Sequence, residues 1–104
     1  MSDARWTVYL LRCADGSLYT GIARDLDARL AAHNAGRGAK YTRARLPVSV
    51  AWSRGQQEPT SARRLEYALK QLTRAEKLRL VAGDEALWRR VRRQTLGAAR
   101  PPAR

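Results

Sequence analysis

Trp6, Val8 and Leu10 fall on every second position, and Leu18, Thr20 and Ile22 repeat the pattern further along. Successive side chains of a strand point to opposite faces, so both runs, rich in β-branched and aromatic residues, predict strands. Between them lies Cys13-Ala14-Asp15-Gly16-Ser17. A two-residue Asp15-Gly16 loop would set Tyr9 and Tyr19 on opposite faces of the hairpin. A three-residue loop, Ala14-Asp15-Gly16, with Gly16 left-handed, pairs Cys13 with Ser17 instead. That register places Trp6, Val8, Leu10, Leu18, Thr20 and Ile22 on one face. Thr7, Tyr9, Leu11, Ser17, Tyr19 and Gly21 share the other. It separates apolar from polar positions more cleanly, and register follows that separation.

The period then lengthens. Asp25 is placed to cap a helix over residues 26–33, in which Leu26, Arg29, Leu30 and His33 fall within one arc of about 100°. Gly36 and Gly38 end it. Residues 36–46 read as a basic loop, and residues 47–53 as a third strand with Pro47 at its start, where proline is tolerated. Pro59-Thr60 opens a second helix with the stripe Ala62, Leu65, Leu69 and Leu72. Thr73-Arg74-Ala75-Glu76 is a capping box for a third, which carries Leu78 and Val81 and stops at Gly83. Asp84 caps a fourth, with Leu87, Trp88 and Val91 inward and Arg89, Arg90, Arg92 and Arg93 largely outward. The expected fold is α+β, a small three-stranded antiparallel sheet with flanking helices in the order β-β-α-β-α-α-α. Residues 1–96 are expected to form one domain with a basic C-terminal helix, and residues 97–104 a flexible tail.

Composition narrows the function. The 104 residues carry 21 Lys and Arg against 9 Asp and Glu, a net charge of +12. The excess is uneven: residues 1–35 are neutral, whereas residues 36–54 hold Arg37, Lys40, Arg43, Arg45 and Arg54 and no acid. The dominance of Arg over Lys, and the abundance of Ala, fit a GC-rich coding bias, but that bias does not explain the excess of cations over acids. A basic loop and a basic C-terminal end point to a polyanion, with Arg37, Lys40, Arg43 and Arg45 the candidate nucleic-acid contacts. One cysteine allows no internal disulfide, and one histidine no multi-histidine metal site. No apolar run suffices to span a membrane, and residues 1–6 lack the apolar segment of a signal peptide. Gly36-Arg37-Gly38 is not a nucleotide-binding phosphate loop. The expectation is therefore a cytoplasmic protein with a nucleic-acid partner, no membrane and no nucleotide cofactor.

Val8-Tyr9-Leu10, then Tyr19-Thr20-Gly21, then Arg29, His33 and Glu66 form an ordered set on the predicted elements. In this the chain resembles the GIY-YIG nuclease superfamily, in particular its small stand-alone bacterial branch, over roughly residues 5–82. Thr7-Val8 stands where the family name has Gly-Ile, Thr20 replaces the second Ile, and Ile22 stands where many metal-dependent members have Lys. The resemblance implies hydrolysis of a nucleic-acid phosphodiester, most readily DNA, with one divalent metal, Mg²⁺ or Mn²⁺. It implies that Glu66 is the metal ligand, that Arg29 contacts the phosphate, and that Tyr19 is the general base with Tyr9 as auxiliary. His33 is the alternative proton acceptor. These residue types suit the reaction, because a phosphodiester repels its nucleophile and needs charge neutralisation as well as a base. The expected activity is structure-directed or weakly sequence-specific endonuclease cleavage. The alternative is a non-catalytic nucleic-acid-binding module that retains the fold. Singly, each residue has an ordinary role: strand tyrosines, a surface arginine paired with Asp25, Glu66 paired with Lys70 at i+4, a satisfied histidine.

Overall fold

The computed structural model describes residues 5–97. Strands β1 (Trp6–Arg12) and β2 (Leu18–Ala23) are followed by helices α1 (Leu26–Asn34) and α2 (Lys40–Arg43), strand β3 (Ser49–Gln57), and helices α3 (Pro59–Lys70), α4 (Arg74–Val81) and α5 (Glu85–Leu96). The sheet is antiparallel in the order β2-β1-β3, so β2 and β3 are its edges. This is the α+β architecture expected, with one added element: the basic loop contains a single helical turn, α2. Most of the expected tail, residues 98–104, lies outside the described residues.

The hairpin adopts the three-residue loop. Cys13 N donates to Ser17 O at 2.9 Å, Gly16 N donates to Cys13 O at 2.9 Å, and Gly16 takes φ +85°. Asp15 Oδ1 fixes the turn by accepting from Ser17 N and Ser17 Oγ. Tyr9 pairs with Gly21 and Leu11 with Tyr19, so the two tyrosines share a face.

Both faces of the sheet are covered. Val8, Leu10 and Trp52 pack with Ala62, Leu65 and Leu69 of α3, Leu80 of α4, and Leu87, Trp88 and Val91 of α5. On the opposite face Tyr9, Leu11, Cys13, Ala23 and Val48 pack with Tyr19, Leu26, Leu30 and Leu46. Asp25 caps α1 by accepting from Ala28 N. Asn34, at the other end of α1, clamps the residue just before β3 in both senses, accepting from Val48 N and donating to Val48 O. The Thr73/Glu76 capping box forms with both of its bonds. On α4, however, Leu80 is the buried residue and Leu78 is exposed. An eight-residue helix gave two overlapping apolar arcs, and the sheet-side contact selected the one through Leu80. Strand β3 runs four residues past its expected end; of its two register shifts opposite β1, the first lies between Val50 and Trp52 and the second, between Arg54 and Gln57, falls in the added part. Arg54-Gly55-Gln56-Gln57 carries no strand-favouring side chain, and Gln56 at φ 63° marks the second irregularity.

Candidate active site

Tyr9 stands on the central strand and its ring crosses the neighbouring one. A Cβ at Gly21 would come within 2.5 Å of the Tyr9 hydroxyl, so only glycine leaves room for the phenol to lie over the edge strand. That crossing matters because the site draws on both faces of the sheet. His33 and Arg29 arrive from α1 on the tyrosine face, and Glu66 from α3 on the opposite face. The Arg29 guanidinium and the Tyr19 and Glu66 side chains all act electrostatically on the Tyr9 phenol. Burial is the largest influence and pushes the Tyr9 pKa above 10.0, against the downward pull of Arg29.

His33 is fully buried. Its Nδ1 lies 2.8 Å from Thr42 Oγ1, and Thr42 Oγ1 in turn donates to Ala39 O at 2.9 Å. A hydroxyl has one proton, and here the carbonyl takes it. Thr42 Oγ1 therefore accepts from His33 Nδ1–H, which leaves Nε2 as the free lone pair. Nε2 faces the Tyr9 hydroxyl at 3.4 Å, a long contact in which the phenol donates. Burial, then the Arg29 charge, lowers the His33 pKa below 6.5, so the imidazole is neutral at pH 7. A Cβ at Gly38 would meet His33 Nδ1 at 2.2 Å, so the loop closes on the imidazole only through a glycine.

Tyr19 meets His33 edge-on, with ring centroids 5.5 Å apart, and stacks on Tyr41 at 6.0 Å. Glu66 is about one-quarter exposed, and its Oε2 lies 3.5 Å from Lys70 Nζ. Arg29 is exposed and forms no ion pair with Asp25 among the described residues. The structure thus brings Tyr19, Arg29, His33 and Glu66 around the Tyr9 phenol. Thr42, Tyr41 and Gly38 belong to the same arrangement and were not anticipated. In the sequence Gly38 marks only the end of the first helix, and nothing there singles out Thr42, whose partner His33 lies nine residues away.

The basic loop roofs this site rather than lying apart from it. Arg37, Lys40 and Arg43 are exposed. Arg45 is not free in the same way: its Nε donates to Asp15 Oδ2 at 3.0 Å, its Nη1 donates to Tyr41 O at 2.8 Å, and its guanidinium lies 3.8 Å over the Tyr41 ring. It ties the hairpin turn to α2.

Comparison with known proteins places the chain. The family model described as the GIY-YIG catalytic domain matches residues 5–79. The chain belongs to the GIY-YIG family. UPF0213 proteins of Staphylococcus aureus strains Mu3 and N315 are each 47% identical over 74 residues, covering 71% of this chain and 90% of theirs. A UPF0213 protein from Bacillus halodurans, solved in solution by NMR, is 39% identical over 81% of this chain and 93% of that one, with a TM-score of 0.49. The GIY-YIG family is a nuclease family that generally acts on nucleic acid, and GIY-YIG nucleases generally use divalent metals. Among the described residues no helix is long and apolar enough to cross a membrane.

The residues present fit one kind of metal. Among the described residues no cluster of three or more His, Cys, Asp or Glu could enclose an ion. Glu66 is the one carboxylate in the constellation, which excludes a closed zinc-type shell. A single hard oxygen donor suits Mg²⁺ or Mn²⁺, which keep several waters and complete their shell with substrate phosphate oxygens.

Proposed function

We propose that the chain is a metal-dependent endonuclease that hydrolyses DNA phosphodiester bonds, with Tyr9, Arg29, His33 and Glu66 as its reacting groups. The observation that carries this reading is the convergence of a cation, a carboxylate and a neutral imidazole on one phenol, across both faces of a sheet. A binding module needs none of that convergence; exposed cations alone would serve it.

Arg29 holds a phosphate oxygen and neutralises charge that builds up as the phosphorus becomes five-coordinate. Tyr9 Oη takes a proton from the attacking water while passing its own to His33 Nε2. The water oxygen forms the new P–O bond, the bridging P–O bond breaks, and the leaving oxygen takes a proton from solvent. Thr42 keeps His33 in the tautomer that can accept. The bond from Tyr9 to His33 favours Tyr9 over Tyr19 as the phenol that moves a proton, since Tyr19 meets the imidazole only through its ring edge. Tyr19 walls the site and orients the substrate. Glu66 would hold the divalent ion, whose chemistry is to stabilise the negative charge on phosphate and leaving oxygen.

Phosphate contacts position a protein without reading bases, so cleavage directed by DNA structure, at nicks or branches, suits this charge distribution. The test is cleavage of supercoiled, nicked and branched DNA with Mg²⁺ or Mn²⁺, in a cell-free assay. Glu66→Gln should lose cleavage by at least 100-fold and keep DNA affinity within about twofold, because one carboxylate on a chain of net charge +12 hardly changes the long-range field. Equal cutting by wild type and Glu66→Gln would sink the metal assignment. Binding without cleavage under every metal would leave the binding module as the correct reading.

A further inference from the structure

Beside the reacting groups, along the outer edge of β2, lies a second cleft of about 280 Å³, lined by Leu18, Tyr19, Thr20, Tyr41, Lys70 and Lys77. Among the described residues no acidic side chain lines it, and two ammonium groups do. Lys70 is shared with Glu66, but Lys77 has no carboxylate partner among the described residues. Burial, with Lys70 adding to it, holds the Lys77 pKa below 10.5, as expected for a cation without its counter-ion. Thr20, one of the lining residues, has a buried Oγ1 with no hydrogen-bond partner among the described residues, a state a protein normally avoids. Tyr41, which walls the cleft, is held between Tyr19 and the Arg45 guanidinium, itself paired with Asp15.

We propose that this cleft is a second phosphate subsite, in which Lys77 and Lys70 hold the strand phosphate neighbouring the reacting one and the Thr20 hydroxyl donates to it. Ammonium groups and a hydroxyl donor are the complement of a phosphate's charge and acceptor oxygens. The proposal deepens the nuclease reading, on which it rests, by fixing the substrate as a strand with at least two successive phosphates. Holding the neighbouring phosphate sets which bond lies at Tyr9.

The test is binding, read by fluorescence anisotropy in the presence of a chelator, of short DNA carrying one neutral methylphosphonate at each position in turn. Lys77→Met keeps the aliphatic stem and removes the charge. It should weaken DNA binding about five- to tenfold at low salt and reduce the salt slope by about one. One methylphosphonate position should weaken wild type and leave Lys77→Met unaffected, and Lys77→Arg should restore most of the affinity. Thr20→Val should weaken binding about threefold while the thermal midpoint stays level or rises, because an unpartnered hydroxyl is replaced by an isosteric methyl. A merely structural lysine would lower the thermal midpoint, and neither a structural lysine nor a structural threonine would move the slope or the methylphosphonate pattern. Wild-type affinity in Lys77→Met, or additive effects at every position, overturns the proposal. Tight inorganic phosphate binding without a positional effect assigns the cleft to free phosphate and overturns the strand register. Because binding is read without metal or cleavage, a catalytically silent chain still tests the subsite. An active enzyme indifferent to Lys77→Met removes the subsite and leaves the nuclease reading standing.

Discussion

Two glycines act here through the Cβ they lack. Gly21 lets the Tyr9 phenol cross the edge strand, and Gly38 lets the loop close over His33. Gly38→Ala would drive a methyl into the imidazole, with backbone on one side and a fully buried ring on the other. We expect a loss of about 1–3 kcal/mol in denaturant unfolding, typical of overpacking. His33 itself predicts a pH dependence of stability. Its native pKa is depressed, first by burial and then by Arg29, so the unfolded chain binds the proton more readily. The stabilisation is fully present above about pH 6.5 and is lost as pH falls through the native value. Urea midpoints measured between pH 7.5 and 5 should fall in wild type, and His33→Gln should flatten that part of the curve. An unchanged slope in the variant would show that other groups carry the effect. Tyr9, Tyr19, Arg29, His33 and Glu66 were all legible as candidates because their order matched a known pattern. Their division of labour was not, since the tautomer of His33 depends on Thr42, and Thr42 reaches it only through the loop's three-dimensional path.

At the scale of elements, the hairpin was the most legible part of the chain. A strand's period of two leaves few choices, and only the three-residue loop puts the apolar positions together. The helix caps were equally readable, since Asp25, Thr73 and Asp84 each accept from a backbone N–H as their residue type predicts. Thr73→Ala should cost about 1 kcal/mol by breaking the bond to Glu76 N, with little effect on DNA binding. A variant as stable as wild type would mean that packing of Leu80 alone fixes α4. What the pattern could not supply were features set by packing. The end of β3 is held by pairing with β1, although its own residues are poor strand formers. The turn α2 is too short to show a period, and it forms because Thr42 and Tyr41 are drawn onto His33 and Tyr19.

For the whole molecule, net charge is the property that a partner meets first. Phosphate neutralisation releases counterions, so log K for DNA should fall linearly with log salt, by about 0.9 for each phosphate engaged. The basic loop was expected to contribute four cations, but the structure divides them. Arg37, Lys40 and Arg43 face solvent on the loop that roofs the site, whereas Arg45 is spent on Asp15 and Tyr41. Substituting Arg37, Lys40 or Arg43 by Ala should therefore lower the salt slope by about one each and leave the unfolding transition unmoved. Arg45→Ala should behave differently. It frees the turn at Asp15 and the stack of Tyr41 on Tyr19, so it should loosen the roof over His33, reduce cleavage more than affinity, and lower the thermal midpoint. Isothermal binding at four or five salt concentrations, beside a thermal melt of each variant, separates the two classes. If Arg45→Ala shifts only the salt slope, its carboxylate and ring contacts do not hold the loop, and all four cations act as one electrostatic surface. If the three exposed substitutions leave the slope unchanged, DNA does not approach over this loop, and the four arginines on the outer face of α5 become the surface to test.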